Sequence, residues 1–297
     1  MFVKGLVLVT FFTQLYENFL GANNFAGIVA SNSVGGSSSY KCRTQAQWNQ
    51  LAKDSKAAGF KTIRIEGFEC NALEMVSTAA AANNLQVLAG IYASKGTIDA
   101  SLPQINNDVQ TFRAAYKKFG AKRYVGLTIG NEVNDSVGKI MAKVYDVRGY
   151  LRSVGVTTPV STAHIWVNIR DSPALCGADF VAANAHAFFD GNVKSAQAGD
   201  FIFNTVVPSL KKACPGKRIM ISESGWPSRG NPNRAAKTSL NDEKAALASL
   251  NCASKRDKNV MVFAFEYDDQ TWKSNDNERS FGIFGKNINL NDIFKPC

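Results

Sequence analysis

The sequence predicts a single α/β domain folded as a closed (β/α)8 barrel. Eight short apolar runs of strand character alternate with helical patterns, which is typical of parallel βαβ units. No composition shift or linker divides the 297 residues, and one large barrel accounts for that length. A doubly wound open sheet is the alternative. It usually carries a GxGxxG loop after its first strand, and this sequence has none.

The predicted strands are short apolar runs that end in polar or glycine-containing loops. The first (FAGIVA) stops at the loop SNSVGGSSS, and the second (FKTIRIE) alternates apolar and polar residues. In chain order the eight strands are predicted over residues 25–30, 60–66, 85–92, 124–129, 159–163, 179–185, 218–222 and 260–265.

The predicted helices show apolar residues at helical spacing and recognisable ends. Gly59 closes the first helix, Asn71 is expected to cap the second, and Gly120 and Gly155 end the next two. The helices are predicted over residues 44–58, 71–83, 103–119, about 140–154, 201–213 and 242–253.

The cysteines and the N-terminus both indicate an oxidising, extracellular setting. Six cysteines without a CxxC pair favour disulfides over a zinc site. Residues 1–22 begin with a short basic segment and an apolar run too short to span a membrane, which predicts a secretory signal peptide. An N-terminal helix or strand packed on the domain is the alternative. The expected mature domain is therefore 23–297, secreted to the extracellular space or cell wall.

The strand ends carry two glutamates that suit paired-carboxylate chemistry. Function in such a barrel lies at the C-terminal strand ends, where Glu132 follows strand four and Glu223 ends strand seven. Glycoside cleavage needs one protonated carboxyl and one ionised carboxylate facing each other. Arg64 is positioned to keep Glu223 ionised, since a guanidinium lowers the pKa of a nearby carboxyl. A structural ion-pair role for both glutamates is the alternative.

Further polar and aromatic residues near these ends are candidate substrate-binding residues. They are Asn131, Arg64, Glu66, Tyr92, Asn184, His186, Phe188, Trp226, Glu266, Asp268 and Trp272. Loop packing alone is the alternative for Trp226. With two histidines in the chain a metal centre is not expected, and the lack of GxSxG argues against a serine hydrolase.

Four motifs together give the chain a family resemblance. They are TIGNEV around Glu132, NAHAFF at 184–189, SESGWPS at 222–228 and ERSFGIF at 278–284. In this order they resemble glycoside hydrolase family 17, which includes β-1,3-glucanases and fungal wall glucanosyltransferases. The resemblance covers about residues 25–284. It implies that Glu132 is the general acid/base, that Glu223 is the nucleophile and that configuration is retained.

The resemblance also implies a substrate and the role of a neighbouring side chain. Asn131 is expected to hydrogen-bond the sugar 2-hydroxyl. The substrates are expected to be β-1,3-glucan and laminari-oligosaccharides, turned over without a cofactor by a monomer. Glucanosyl transfer with some hydrolysis is the favoured reaction. Plain endo-hydrolysis and a non-catalytic glucan-binding wall protein are the alternatives.

Two features depart from the family pattern. Family members place Tyr where this chain has Glu66, which strand alternation puts on the same face as Arg64. Glu66 is therefore either an ion-pair partner of Arg64 or a third carboxylate near the site. In VFAFEYDDQTWK the register is ambiguous, and Glu266 and Asp268 are both candidates for one sugar-binding role.

The net charge of +10 is concentrated in three clusters between helices and strands. The clusters are Lys117, Lys118, Lys122 and Arg123; Lys211, Lys212, Lys217 and Arg218; and Lys255, Arg256 and Lys258. Such connections lie on the barrel face opposite the active site. A solvated rim and a tether to acidic wall polymers are both consistent with them. No nucleic-acid recognition motif accompanies the charge, and a nucleic-acid partner is not expected.

The positions of the cysteines predict one of the fifteen possible pairings. Cys42 and Cys70 follow strands one and two, which are neighbours, so they are expected to pair. Cys252 with Cys297 would tie the C-terminus to the last helix, which leaves Cys176 with Cys214.

Overall fold

The eight predicted strands close into one parallel barrel. The structure is a computed structural model that describes residues 23–294 and 297, so the predicted signal peptide lies outside the described residues. Each strand pairs in parallel with the next, and β8 pairs with β1, which confirms the (β/α)8 fold. The strands are β1 (Gly27–Val29), β2 (Thr62–Arg64), β3 (Gln86–Ile91), β4 (Tyr124–Asn131), β5 (Val160–Ile165), β6 (Val181–Asn184), β7 (Ile219–Ser224) and β8 (Val260–Ala264).

The helices surround the barrel in the expected order. They are α1 (Gln45–Ala57), α2 (Ala72–Ala82), α3 (Ile98–Phe119), α4 (Val137–Ser153), α5 (Trp166–Asp171), α6, α7 (Leu240–Ala253) and α8 (Leu290–Ile293). Helix α6 begins at Ala198–Asp200, continues as the π-helical turn Phe201–Val206 and ends as Val207–Ala213.

The starts of α3, α4, α6 and α7 lie two to five residues before the predicted ones, and α5 and α8 were not predicted. Helix α3 begins five residues before Pro103, because the Thr97 hydroxyl accepts a hydrogen bond from the backbone amide of Ala100 and caps it there. The side chain of Asn71 does not cap α2. Its backbone instead has a left-handed φ of 54°, beside Cys70 at 61°.

Large side chains from neighbouring strands fill the barrel interior. Phe180 and Phe263 are buried there with Leu88 and Met220. Two glycines make room for the rings. A Cβ at Gly27 would lie 2.6 Å from the Phe263 ring, and one at Gly126 would lie 2.8 Å from the Phe180 ring. A packed interior leaves only the strand ends and their loops to form a site.

The three disulfides have the predicted connectivity. Cys42 bonds Cys70, Cys176 bonds Cys214 and Cys252 bonds Cys297, closing loops of 28, 38 and 45 residues. The first joins the loops after β1 and β2 at the mouth of the barrel. Within residues 23–294 no helix is long and apolar enough to cross a membrane.

Candidate active site

Register shifts at the ends of three strand pairs bring the polar residues together. The β4–β5 register shifts between Thr128 and Asn131, and the β6–β7 shift places Asn184 level with Glu223. The β7–β8 register also shifts, after Ile221. These irregularities lie at the C-terminal rim, where the ladder stops being regular and side chains can be redirected into the mouth.

Glu223 is buried and held by two basic side chains. It is 6% exposed, and its Oε1 accepts a 2.6 Å hydrogen bond from Nη1 of Arg64, which is itself 1% exposed. Nε2 of His186 lies 3.4 Å from the other carboxylate oxygen. Burial alone would raise the pKa of Glu223, but Arg64 and His186 outweigh it and lower the pKa to about 2. Glu223 is therefore ionised at neutral pH.

Glu132 has the opposite electrostatic setting. Desolvation by the surrounding protein and the negative charge of Glu223 raise its pKa, while a hydrogen bond from Asn184 opposes that shift. Its backbone has φ 52°, two residues after Gly130 at 80°. A left-handed non-glycine residue is uncommon and often marks a functional site. Two carboxyls with opposed pKa shifts are suited to one acid role and one anionic role.

A chain of amide and hydroxyl groups connects the two glutamates. Nδ2 of Asn184 donates to Glu132 at 2.7 Å and to Oδ1 of Asn131 at 3.1 Å. The Ser222 hydroxyl donates to Oδ1 of Asn184 at 2.8 Å, and Arg64 donates to Oδ1 of Asn131 at 3.0 Å. Every member is thus held by a neighbour on a different strand, which fixes the carboxyl positions.

The two glutamates line the first of two cavities at the mouth, here called the first cavity. Its volume is about 520 Å³, and Asn184 and His186 also line it. Its apolar wall is formed by Ile165, Trp166, Phe189, Phe201, Phe265 and Phe281. Phe189 is 53% exposed, so an aromatic face is open to a ligand in the first cavity.

The second cavity adjoins it and has a volume of about 240 Å³. It is lined by Glu66, Glu266 and Lys273 together with the rings of Tyr92 and Trp272. Nζ of Lys273 donates to Glu266 at 3.0 Å, in a pair that is largely buried.

Glu66 is a third carboxylate beside Glu223 and also an ion-pair partner of Arg64. Its Oε1 lies 3.2 Å from Nη1 of Arg64, and Nδ2 of Asn131 donates to its Oε2 at 3.4 Å. Burial and the charge of Glu223 raise the pKa of Glu66 to about 7, against the effect of Arg64 and Lys273. The side chain is still 35% exposed, toward the second cavity.

Two aromatic residues predicted to bind substrate are buried, and that prediction is wrong for both. Trp226 is 0% exposed and its indole N–H donates to the Lys237 carbonyl at 2.8 Å. Phe188 is 3% exposed and packs edge-on against Trp226, with ring centroids 5.4 Å apart. Both rings support the loop that carries Phe189. Phe189 itself lines the first cavity, and Trp226 and Phe188 do not.

Asp268, the other candidate of the ambiguous register, lines neither of the two cavities. Its carboxylate pairs with Arg43 and accepts a hydrogen bond from the backbone amide of Gly35. Of the two candidates for one role, Glu266 lines the second cavity and Asp268 instead secures the loop after β1.

The structure adds residues that sequence reasoning missed. Lys273, Tyr40, Asn32 and Glu69 line the second cavity, and Ser222 orients Asn184. The lysine could have been found from its place seven residues after Glu266. Tyr40, Asn32 and Glu69 come from the loops after β1 and β2, which the Cys42–Cys70 disulfide joins, and Ser222 lies within β7. No cluster of metal-ligating side chains occurs among the described residues.

Comparison with known proteins identifies the family. The family model for the BtgE/BtgC glycoside hydrolase domain matches residues 31–283. The cell surface mannoprotein MP65 of Candida albicans is 28% identical, over 82% of this chain and 63% of its own length. The probable family 17 glucosidase SCW4 of Saccharomyces cerevisiae is 30% identical, over 76% of this chain and 57% of its own. The chain thus spans less than two thirds of these relatives.

Solved structures share the fold. A Rhizomucor miehei β-1,3-glucanosyltransferase mutant in complex with laminaritriose superimposes with a TM-score of 0.73 at 19% identity, covering 88% of this chain and 92% of that one. A plant β-glucan endohydrolase gives a TM-score of 0.61 at 14% identity, covering 87% and 96%. The likeness to family 17 glycosidases is confirmed, and the chain belongs to the BtgE/BtgC glycoside hydrolase family.

Proposed function

We propose that the chain is a retaining β-1,3-glucan-active enzyme that transfers glucanosyl units between chains, with some hydrolysis. The observation that carries the proposal is the opposed pair of carboxyls at one cavity. Glu223 is held ionised by Arg64, and Glu132 has a raised pKa. The Rhizomucor miehei relative in fold, a β-1,3-glucanosyltransferase solved with laminaritriose, supports the choice of β-1,3-glucan.

In the first step the Glu223 carboxylate attacks the anomeric carbon of the bound glucan. Glu132 donates its proton to the glycosidic oxygen as the bond to the leaving sugar breaks, which leaves a glycosyl ester on Glu223. Asn131 lies between Arg64 and Asn184, where its amide can hydrogen-bond the 2-hydroxyl of the reacting sugar.

In the second step Glu132, now ionised, accepts a proton from the attacking hydroxyl and Glu223 is released. The acceptor must approach from the side of Glu132, so the first cavity receives the leaving and accepting sugars. Phe189 and Trp166 are the aromatic surfaces there. A sugar oriented on them competes with water because its hydroxyl is already in place. The second cavity then receives donor-side sugars.

Product analysis distinguishes transfer from hydrolysis. Incubation with reduced laminari-oligosaccharides as acceptors should yield products longer than the substrate if transfer occurs. Products that are only shorter would indicate a plain endo-β-1,3-glucanase.

The Glu223→Gln variant should bind glucan without turnover, and the Glu132→Gln variant should be strongly impaired. Activity that survives in Glu223→Gln would favour a different nucleophile, and binding without turnover in the wild type would favour a non-catalytic wall protein.

We also propose that the protein is secreted to the cell wall or extracellular space. Three disulfides suit an oxidising compartment, and one of the relatives is named a cell surface mannoprotein. N-terminal sequencing of protein recovered outside the cell should begin near residue 23. Recovery only inside the cell, with residues 1–22 retained, would contradict this location.

The basic clusters support a second, independent proposal, a tether to acidic wall polymers. A groove of about 740 Å³ at the N-terminal ends of β7 and β8 is lined by Lys211, Lys217, Arg218 and Lys258, with Asp257 as the acid. Lys211 pairs with Asp257 at 2.7 Å. Arg218 instead contacts sulfur atoms, that of Met261 at 3.2 Å, and has no carboxylate partner among the described residues. Burial without such a partner lowers its pKa.

Salt dependence tests the tether. Retention on a polyanionic matrix should fall steeply between low and moderate salt, because exposed charges are screened over about 8–10 Å. Turnover of a neutral soluble glucan should change little over the same range. The Lys258→Gln/Arg218→Gln double variant should elute at lower salt. Equal retention at all salt concentrations would contradict the tether.

A further inference from the structure

A largely buried ammonium group has no part in the mechanism above. Nζ of Lys286 lies within 3.1 Å of five oxygen atoms: Oγ of Ser228 at 2.8 Å, the carbonyl of Ser280 at 2.7 Å, Oδ1 of Asp269 at 2.9 Å and both carboxylate oxygens of Glu243 at 3.0 and 3.1 Å. An ammonium has three N–H groups, so its donors are fully used within the protein.

The five oxygen atoms belong to parts of the chain that are distant in sequence. Ser228 follows β7, Asp269 and Ser280 follow β8, and Glu243 is fully buried in the first turn of α7. Lys286 therefore connects two neighbouring loops at the C-terminal rim to an outer helix. Loops beyond the strand ends are not positioned by the regular ladder, so a contact shared between them determines where they lie.

The chain is fastened in this way on both sides of Phe281. On one side the Ser280 carbonyl accepts a hydrogen bond from Lys286 directly. On the other side the Gly282 amide donates to Oδ1 of Asp269 at 2.9 Å, and the same oxygen lies beside Lys286. The ammonium thus holds both neighbours of Phe281.

Residues 278–284, here called the wall segment, bring two side chains to the first cavity. Phe281 and Glu278 both line it. The buried ring of Phe281 lies 5.4 Å from that of His186 and 5.3 Å from that of Phe265, measured between centroids. The lysine lines neither cavity, so any effect it has on a bound sugar is exerted through the wall segment.

We infer that Lys286 is a positioning residue for the acceptor sugar, because it fixes the wall segment that carries Phe281 and Glu278. A buried ammonium costs desolvation free energy, which is offset when its oxygen partners converge on it. The wall segment is thereby held in one position. Glu223 is held separately by Arg64 from β2, so the donor-side reaction should depend little on the lysine. The inference rests on the proposed function in placing the acceptor in the first cavity.

A donor with a small leaving group tests the inference. β-Laminaribiosyl fluoride leaves the first cavity free of sugar, so fluoride release without an acceptor reports the donor side, and transfer to laminaritriose reports the acceptor side. In Lys286→Met the laminaritriose concentration for half-maximal transfer should rise about tenfold, since a displaced wall no longer orients the acceptor. Fluoride release without the acceptor should change little. An unchanged half-maximal concentration would overturn the inference.

A double variant separates positioning from stability. Glu243→Met/Lys286→Met removes both charges at similar volume, so its urea midpoint should recover relative to Lys286→Met. The half-maximal laminaritriose concentration should stay raised, because Ser280 and Asp269 still lack their donor. Recovery of both quantities together would overturn the inference, since the ammonium would then only stabilise the fold.

Lys143→Met is the matched control. Lys143 is another buried lysine, but it pairs with Asp146 within α4 and lines neither cavity. The change should lower the urea midpoint and leave the half-maximal laminaritriose concentration as in the wild type. A rise equal to that in Lys286→Met would overturn the inference.

Hydrogen exchange gives a readout that does not depend on a substrate. Backbone amides of the wall segment should exchange faster in Lys286→Met and in the double variant, while those of α1 should keep their rates. Unchanged exchange in the wall segment would overturn the inference whatever sugar the protein acts on.

Failure of the proposed function gives a different result. If the wild type releases fluoride but forms no transfer product, glucanosyl transfer is wrong. The same rise should then appear in the KM for laminarihexaose hydrolysis, because the leaving part of that substrate occupies the first cavity, and an unchanged KM would overturn the inference. If the wild type turns over neither compound, the β-1,3-glucan substrate is wrong, and exchange in the wall segment decides whether Lys286 holds it.

Discussion

Arg64 is the residue that connects two carboxylates and one amide of the site. Its guanidinium is buried and donates to Glu66 just after its own strand, to Glu223 on β7 and to Asn131 on β4. A buried cation of this kind costs desolvation free energy and is retained when its partners offset that cost. The ion pair with Arg64 also keeps Glu223 ionised, and the proposed chemistry requires that ionised form.

Replacing Arg64 should move the acid limb of the pH profile. The pKa of Glu223 is lowered to about 2 in the folded protein, so activity that needs its ionised form is lost as pH falls through that value. In Arg64→Gln the pKa should rise past the ordinary value of about 4.3, since burial remains. The acid limb of kcat/KM should shift upward by about two pH units or more.

Arg64→Lys is the matched control, because it keeps the charge but loses the planar fork. Its acid limb should shift less than that of Arg64→Gln, although kcat should still fall. Both variants should be less stable, and Arg64→Gln by about 3–5 kcal/mol, since a buried carboxylate loses its partner. Identical acid limbs in the wild type and Arg64→Gln would contradict the role of Arg64.

Glu66→Gln should stabilise the protein at alkaline pH. The folded pKa of Glu66 is about 7, above the unfolded value of about 4.3, so ionisation disfavours folding. The destabilisation is absent below about pH 4 and complete above pH 7. Urea unfolding should therefore show a larger gain for Glu66→Gln at pH 8 than at pH 5, and a gain independent of pH would contradict the shift.

At the residue scale the sequence predicts charged groups better than aromatic ones. Glu132, Glu223 and Arg64 are recognisable because a charged side chain at the end of a buried strand needs a partner or a function. Trp226 was misassigned because its burial depends on Lys237, eleven residues later, whose carbonyl receives the indole N–H. The residues around Trp226 in the sequence show no pattern that predicts this hydrogen bond.

At the element scale the end of β4 sets the direction of the acid. Gly130 has φ 80° and Glu132 has φ 52°, so the chain turns sharply as the strand ends and Glu132 points into the first cavity. The amide of Glu132 donates to the Ala163 carbonyl on β5 at 2.8 Å, which holds the turn in place. A strained left-handed backbone of this kind persists where the surrounding contacts hold it in place.

Gly130→Ala should therefore lower both stability and activity. A Cβ at this position would lie 2.4 Å from Cγ2 of Val133, and the left-handed backbone adds about 1–2 kcal/mol. Displacement of Glu132 by about 1 Å would reduce kcat by about 10²-fold. Denaturant unfolding and turnover of a laminari-oligosaccharide measure the two effects.

Gly138→Ala is the matched control. Gly138 is an exposed residue of α4 with nothing within 4 Å of an added Cβ, so the change should stabilise by about 0.5–1 kcal/mol and leave kcat unchanged. Similar behaviour of the two variants would contradict the account of the turn.

Helices and strands were predictable where the spacing of their apolar residues stays regular to the end of the element. All eight strands were found, because their apolar runs are buried on both faces and bounded by turn residues. The start of α3 was placed at Pro103, since proline favours a first turn, but the Thr97 cap starts the helix at Ile98 with Pro103 inside it. The register shifts that position Asn184 and Glu223 depend on side-chain packing between strands and leave no signal in one sequence.

At the scale of the whole molecule the disulfides divide into one beside the site and two remote from it. Cys42–Cys70 joins the loops that carry Tyr40 and Glu69 to the second cavity, while Cys252–Cys297 fastens the C-terminus to α7. The first pairing follows from the barrel order, because residues after adjacent strands are close in space whatever their separation along the chain.

The two disulfides should differ in function more than in stability. The Cys42→Ser/Cys70→Ser and Cys252→Ser/Cys297→Ser variants should each lose about 3–4 kcal/mol, since the loops hold 28 and 45 residues. Only the first should also raise KM for laminari-oligosaccharides, because its loops line the second cavity. Equal KM values in both variants would contradict that division.

Trapping of the glycosyl-enzyme tests the central claim, that Glu223 is the nucleophile of a retaining enzyme. A laminaribiosyl donor with a 2-fluoro substituent and a good leaving group should accumulate on the enzyme, because the second step is slowed. Peptide mapping by mass spectrometry should then place the added mass on the peptide that contains Glu223, and Glu223→Gln should show none. A label on Glu66 or Glu132, or turnover with inverted anomeric products and no label, would contradict the account.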